Sequence, residues 1–125
     1  MDFQEIKPIY LQIADKIMDD ILAGIYPEEG RLPSVREYAA SVTVNANTVM
    51  RTYDWLSQKE LIFNRRGIGF FVEPSARERI IAMRRATFFA SEATYFMGRL
   101  ESFGVNPDEL RDMYVKFLSD KNNNQ

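Results

Sequence analysis

The chain has 125 residues, 46% of them hydrophobic, enough to bury one compact core and too little for a large multi-site enzyme. It contains no cysteine and no histidine, which excludes disulfides, thiol nucleophiles, imidazole bases and nearly every transition-metal site, and no cofactor is implied. The formal charge is −2 but unevenly spread: residues 1–30 carry seven acidic and two basic side chains, residues 31–66 three acidic and six basic ones. An acidic surround with one basic stretch disfavours indiscriminate polyanion binding while leaving a local face able to meet phosphates.

The opening Met1-Asp2-Phe3-Gln4-Glu5 is acidic and lacks the basic start and apolar core of a secretion signal. No apolar run approaches a membrane span, so a cytoplasmic chain with no membrane partner is expected. Tyr10, Ile13, Ala14, Ile17, Met18, Ile21, Leu22 and Ile25 fall at the spacing of a helix with one buried stripe, while Gln12, Asp15, Lys16, Asp19 and Asp20 fall on its wet side. Pro8 marks its start and Gly24 its end.

Ser34-Val35-Arg36-Glu37 has the form of a capping box and opens a short second helix reaching about Ser41. After the tight connection Val42-Thr43-Val44, Asn45 is a good N-cap for a third helix ending near Lys59. Two helices so closely joined must cross steeply, the geometry of a helix-turn-helix. Leu61 to Arg65 and Gly69 to Glu73 flank Arg66-Gly67-Ile68 and read as a two-stranded wing. Beyond the break at Pro74-Ser75, Ala82, Ala86, Phe89, Ala93, Phe96, Leu100 and Phe103 alternate steps of four and three like a coiled-coil seam, ended by Gly104. Asn106-Pro107 opens a last helix with Leu110, Met113, Tyr114, Phe117 and Leu118 as its stripe, and Lys121 to Gln125 is expected to fray.

Helix three puts Val49, Tyr53 and Leu56 on one face and Asn47, Arg51, Asp54 and Gln58 on the other. Arginine donates twice to guanine, Asn and Gln pair with adenine and Asp accepts from cytosine, so the polar face has the chemistry for reading major-groove edges. Its amides, with the Asn45 and Thr48 side chains, can meet phosphates. Taken alone, the same face also fits an ordinary solvated helix, with Asp54 holding Arg51. Arg65-Arg66-Gly67-Ile68-Gly69 fits either a solubilised hairpin tip or a basic wing entering a flanking minor groove; no helix follows the glycines, so it is not a nucleotide-phosphate loop. Arg36 reads as a groove-facing residue or as a partner of Glu37. Lys59, Arg84 and Arg85 read as solvated, and Trp55 as packing against the first helix or the wing. The aromatic residues Phe88, Phe89, Tyr95, Phe96 and Phe103 are more than two helices can bury alone, which points to a second copy of the chain.

Pro8-Ile9-Tyr10-Leu11-Gln12-Ile13 resembles the opening of GntR-family winged helix-turn-helix domains. Leu32-Pro33-Ser34-Val35-Arg36-Glu37, Asn45-Ala46-Asn47-Thr48-Val49-Met50-Arg51-Thr52-Tyr53 and Arg65-Arg66-Gly67-Ile68-Gly69-Phe70-Phe71-Val72 resemble its later blocks in the same order. The short two-helix tail is similar to the YtrA subfamily. The resemblance implies a mainly α fold with a small β-hairpin wing, residues 1–75 forming the winged helix-turn-helix and residues 76–125 a helical dimerisation region. It implies a bacterial transcriptional regulator, a repressor by analogy, that binds a palindromic double-stranded DNA operator as a homodimer. The implied DNA contacts are Ser34 and Arg36, then Asn45, Asn47, Thr48 and Arg51, and Arg65, Arg66 and Gly67 in the wing. The seam and the stripe of the last helix supply the expected dimer contacts, Phe89, Ala93, Phe96, Leu100, Phe103, Leu110, Tyr114 and Phe117. A small-molecule effector, where one acts, is expected between the DNA-binding half and the tail.

The family commonly has Leu-Gly where this chain has Val42-Thr43, and Pro at Ala46, which points to a differently shaped turn. The alternative reading is a winged-helix protein-interaction module that binds no DNA. A small enzyme would have only Glu28 and Glu29 as paired carboxylates, next to a glycine and without a nucleophile or metal ligands, so no catalysis is expected.

Overall fold

The computed structural model describes residues 6–123; the acidic opening and the last two residues fall outside that range. The elements in chain order are α1 (Ile9–Leu22), α2 (Val35–Val42), α3 (Ala46–Gln58), β1 (Ile62–Arg65), β2 (Gly69–Val72), α4 (Ala76–Thr87), a π-helical turn (Phe88–Glu92), α5 (Ala93–Ser102) and α6 (Pro107–Asn123). The fold is thus mainly helical with one antiparallel hairpin, as the periodicities predict. No described helix is long and apolar enough to cross a membrane.

Packing divides the chain between Arg85 and Ala86. In the first unit α1 buries Ile13, Ala14, Ile17, Met18 and Ile21 against α3, whose buried side is Val49, Thr52, Tyr53 and Leu56. Full burial of an aliphatic side chain of this kind contributes about 1.5–3 kcal/mol. Leu32, Leu61, Ile62, Val72, Ala76 and Ile80 close the same core. Two buried hydroxyls tie it to the backbone: Thr52 Oγ1 donates to the Tyr10 carbonyl at 2.7 Å, and the Tyr53 phenol to the Pro33 carbonyl at 2.7 Å. Burial is the first cause that pushes the Tyr53 phenol far above the ordinary tyrosine range.

Two expectations for α1 are corrected. The helix stops at Leu22 and Gly24 turns the chain at φ 82°, so Ile25 leaves the stripe and stands exposed. Asp20 does not face water freely but is buried, its carboxylate accepting from Lys16 Nζ one turn earlier at 3.0 Å. Another correction concerns Arg84, which is held rather than solvated: it donates to Asp19 at 2.8 Å and to the Asp15 carbonyl at 3.1 Å. With Arg77, which donates to the Ile21 and Leu22 carbonyls, it fastens α4 to α1 from its first turn to its last. Ala76 to Arg85 therefore pack with the first unit, past the break at Pro74-Ser75.

The turn between α2 and α3 takes the shape a glycine would give it. Thr43 caps α2 at φ 56°, ψ 51°, in the left-handed region, and the Thr43 and Val44 amides both close on the Ala39 carbonyl. The sequence departs from the family pattern there, but the backbone does not differ as that departure suggests; the β-branched side chain bears the cost.

β1 and β2 pair from Ile62↔Val72 to Arg65↔Gly69, and Arg31 adds a bridge to Phe71 on the far side of β2. The Glu29 and Leu32 amides donate to the Val72 and Phe70 carbonyls, and the Val72 amide to Gly30, so residues 29–32 lie along the wing as a short third strand. In the hairpin, Ile62, Phe70 and Val72 face the core, where Phe70 meets the Tyr53 ring edge-on with centroids 5.0 Å apart. Phe63, Arg65, Gly69 and Phe71 share the outer face.

In the second unit the expected continuous seam is interrupted. The π-helical turn Phe88–Glu92 inserts into the path from α4 to α5, so the regular alternation of four and three does not run unbroken through Phe89 and Ala93. Among its described residues only Ala93 is buried. Residues 121–123, expected to fray, continue α6.

Candidate nucleic-acid interface

The first predicted contacts sit where α2 begins. Ser34 Oγ accepts from the Glu37 amide at 3.1 Å while Glu37 Oε1 accepts from the Ser34 amide at 2.9 Å, the reciprocal box read from the sequence. The Ser34 amide first, and the Ser34 hydroxyl after it, hold the Glu37 carboxyl below the usual carboxylate range. Arg36, one residue before Glu37, is exposed and forms no ion pair with it.

At the start of α3, Asn45 Oδ1 accepts from the Asn47 amide at 2.7 Å, so its oxygen serves the cap and its amide hydrogens point outward as donors. Asn47, Arg51, Asp54 and Gln58 are exposed and Thr48 is half-buried. Arg51 is not paired with Asp54. Its guanidinium carbon lies 4.0 Å from the centroid of the Tyr10 ring, a cation–π contact. Pro8, Ile9, Tyr10, Asn47, Thr48 and Arg51 line a cleft between the start of α1 and the polar face of α3. Tyr10 is thus a site residue that sequence reasoning placed only on the α1 stripe. Its spacing signals burial; only the packing of α1 on α3 brings its ring under Arg51.

The wing carries Arg65, Arg66 and Gly67 at an exposed tip, closed by the Ile68 amide on the Arg65 carbonyl at 2.9 Å. Gly67 turns at φ 81°, a conformation in which an L side chain is strained. Arg65 leans over the Phe71 ring, 5.3 Å from its centroid, and Phe71 stacks on Phe63 at 5.8 Å. Trp55 packs on the core edge with Lys59 over its ring, 5.6 Å from the centroid.

Ion pairing distinguishes two sets of cations in this unit. Lys7, Lys16, Arg79 and Arg84 are engaged by Asp15, Asp20, Glu60 and Asp19. Arg31, Arg36, Arg51, Arg65 and Arg66 enter no ion pair among the described residues. Cations left without counter-charges are costly to gather unless an anion shares the space, and a phosphodiester backbone supplies such anions in a row.

The predicted dimer residues lie in the second unit. Phe89, Phe96, Phe103, Tyr114 and Phe117 are exposed, Phe103 the most at 67%, and Leu100 and Leu110 are half-buried. Ala93 is already buried within the single chain.

The model of the family described as "Bacterial regulatory proteins, gntR family" matches residues 9–72, the span from the start of α1 to the end of β2. The chain is 33% identical over 108 residues to the uncharacterised HTH-type transcriptional regulator YhcF of Bacillus subtilis, covering 86% of this chain and 88% of that one. It is 35% identical over 74 residues to the HTH-type transcriptional repressor YtrA of the same organism, 59% of this chain and 57% of that one. Among solved structures, a putative GntR-family transcriptional regulator from Bacteroides thetaiotaomicron superposes with a TM-score of 0.82 at 49% identity, over 91% of this chain and 99% of that one.

Proposed function

The chain belongs to the GntR family of bacterial regulatory proteins, carrying that family's DNA-binding winged helix-turn-helix, and from this we propose that it is a cytoplasmic repressor that binds a palindromic operator as a homodimer. The observation that carries the reading is the set of arginines on α2, α3 and the wing that enter no ion pair among the described residues, whereas Lys7, Lys16, Arg79 and Arg84 are each neutralised by a carboxylate. In this reading α3 enters the major groove with Asn47 and Arg51 toward base edges, Arg51 held extended by Tyr10. Ser34, Arg36, Asn45 and Thr48 meet phosphates, and Arg65, Arg66 and Gly67 approach the flanking minor groove. No catalytic step belongs to it.

Dimerisation is supported by the aromatic side chains on π-turn, α5 and α6 that a single chain leaves in water, a surface that soluble monomers seldom present in such density. A two-fold dimer presents two α3 helices, and a two-fold reader calls for an inverted-repeat site. The comparison with a repressor of Bacillus subtilis supports the sign of regulation.

Two measurements test the reading. A duplex selected from a random-sequence library by the unaltered protein should show inverted symmetry, and Arg51→Ala should cost roughly 1–3 kcal/mol on it and relax one position. Unchanged affinity and base preference would remove Arg51 from the reading face. In sedimentation, the unaltered chain should run as a dimer, and Phe96→Ser with Phe103→Ser should shift it toward monomer; a monomeric parent would refute the dimer. Absence of salt-dependent binding to any duplex would favour the protein-interaction reading instead.

A further inference from the structure

One arginine of the unpaired set belongs to neither the helices nor the hairpin. Arg31 lies on the short strand beside β2, bridged to Phe71, and is exposed. Its side chain runs along the outer face of the wing: a Cβ built on Gly69 would stand 3.2 Å from Arg31 Nε and 3.4 Å from its terminal nitrogen. Gly69, at φ 144°, therefore leaves open the space the guanidinium occupies as well as supplying a backbone conformation that side chains disfavour.

Gly69 pairs with Arg65 in the register, and directly paired residues of an antiparallel hairpin project to the same face. The guanidinium of Arg31 thus comes to the face that carries Arg65, beside the tip holding Arg66. Arg31 also stands three residues before Ser34, the cap of α2, so the chain runs directly from it to the start of that helix. Glu37 forms no salt bridge with it and instead accepts from the Ser34 amide. Among the described residues, no hydrogen bond or ion pair satisfies the five donors of the Arg31 guanidinium.

We propose that Arg31 is a phosphate-binding residue that joins the wing to the DNA backbone beside it, with Gly69 keeping its guanidinium on the outer face. The proposal rests on the DNA-reading function above. Its position on the outer face of the wing, just ahead of the α2 cap, suits one phosphodiester in the stretch of backbone between the groove entered by α3 and the groove approached by the wing. A phosphate contact carries no sequence information, so Arg31 fixes affinity and register and leaves base preference untouched.

The test compares the unaltered protein, Arg31→Gln, Arg31→Lys and Arg51→Ala on the duplex selected by the unaltered protein and on a scrambled duplex of equal length, from 50 to 300 mM salt. Loss of one phosphate contact should lower the slope of log K against log salt by about 0.9, which corresponds to a loss of about 8-fold at 0.1 M salt. Arg31→Gln should show that loss on both duplexes with base preference unchanged, and Arg31→Lys should restore the slope. Unchanged affinity and slope in Arg31→Gln overturn the proposal, as does a change of base preference. If Arg51→Ala still relaxes the preference in either case, the reading of α3 stands without Arg31. If no variant and no duplex shows salt-dependent binding, both fall. Arg31 is exposed, so thermal melting of Arg31→Gln should match the parent; should it not, Arg31→Met, which keeps the aliphatic stem and removes only the charge, must reproduce the slope change for the proposal to hold.

Discussion

Thr43 makes the turn of the helix-turn-helix at φ 56°, ψ 51°, and Thr43→Gly is expected to stabilise the protein. An L-residue in that region costs roughly 1–2 kcal/mol, and a β-branched one stands at the upper end because both γ substituents crowd the backbone. Glycine relieves the clash but loses about 0.5–1 kcal/mol through the greater freedom of the unfolded chain. Among the described residues the Thr43 hydroxyl has no hydrogen-bond partner, and the residue is exposed, so little else is lost. The balance is a gain of about 0.5–1 kcal/mol, a rise in Tm of roughly 2–6 °C for a chain of this size. Urea and thermal unfolding of parent, Thr43→Gly and Thr43→Val at one protein concentration would measure it, since a dimer's Tm depends on concentration. Valine keeps the β-branch and removes only the hydroxyl, so it should not stabilise. A glycine variant no more stable than the parent, or a valine variant that gains as much, would refute the assignment of strain to this side chain.

Other outcomes follow from the same packing. Ser34→Ala should cost about 1 kcal/mol by uncapping α2. Because the Glu37 carboxyl is held below its ordinary value of 4.5, its support for α2 is complete above that pH and is lost as pH falls through the lower folded value. Glu37→Gln should therefore flatten the loss of stability between pH 5 and acid, as followed by circular dichroism; an unchanged profile would refute the link. Tyr53→Phe should cost roughly 1–2 kcal/mol by leaving the Pro33 carbonyl unpaired, and in the folded parent one tyrosine should resist alkaline titration in difference absorbance. Thr52→Val should cost a similar ~1–2 kcal/mol in denaturant unfolding by releasing the Tyr10 carbonyl, and should weaken operator binding if that carbonyl anchors the ring beneath Arg51.

Local rules in the sequence determined the elements of the winged unit and their order. The Ser34–Glu37 box, the Asn45 cap, the 3.6-residue stripes of α1 and α3 and the glycines of the hairpin each act over a few residues, so their spacing alone decides helix starts and strand ends. The polar face of α3 was legible for the same reason: Asn47, Arg51, Asp54 and Gln58 share a face wherever that helix packs. What tertiary structure decided were relations between residues far apart in sequence, where no period applies. The stripe could not show that Ile25 escapes past Gly24, or that Asp20 is buried with Lys16. It could not show that Arg84 reaches Asp19, or that Arg51 rests on Tyr10 rather than on Asp54. Arg31 is the clearest case: in sequence it is a lone charge after a turn, and only the strand it forms beside β2 brings its guanidinium to the glycine that leaves it room.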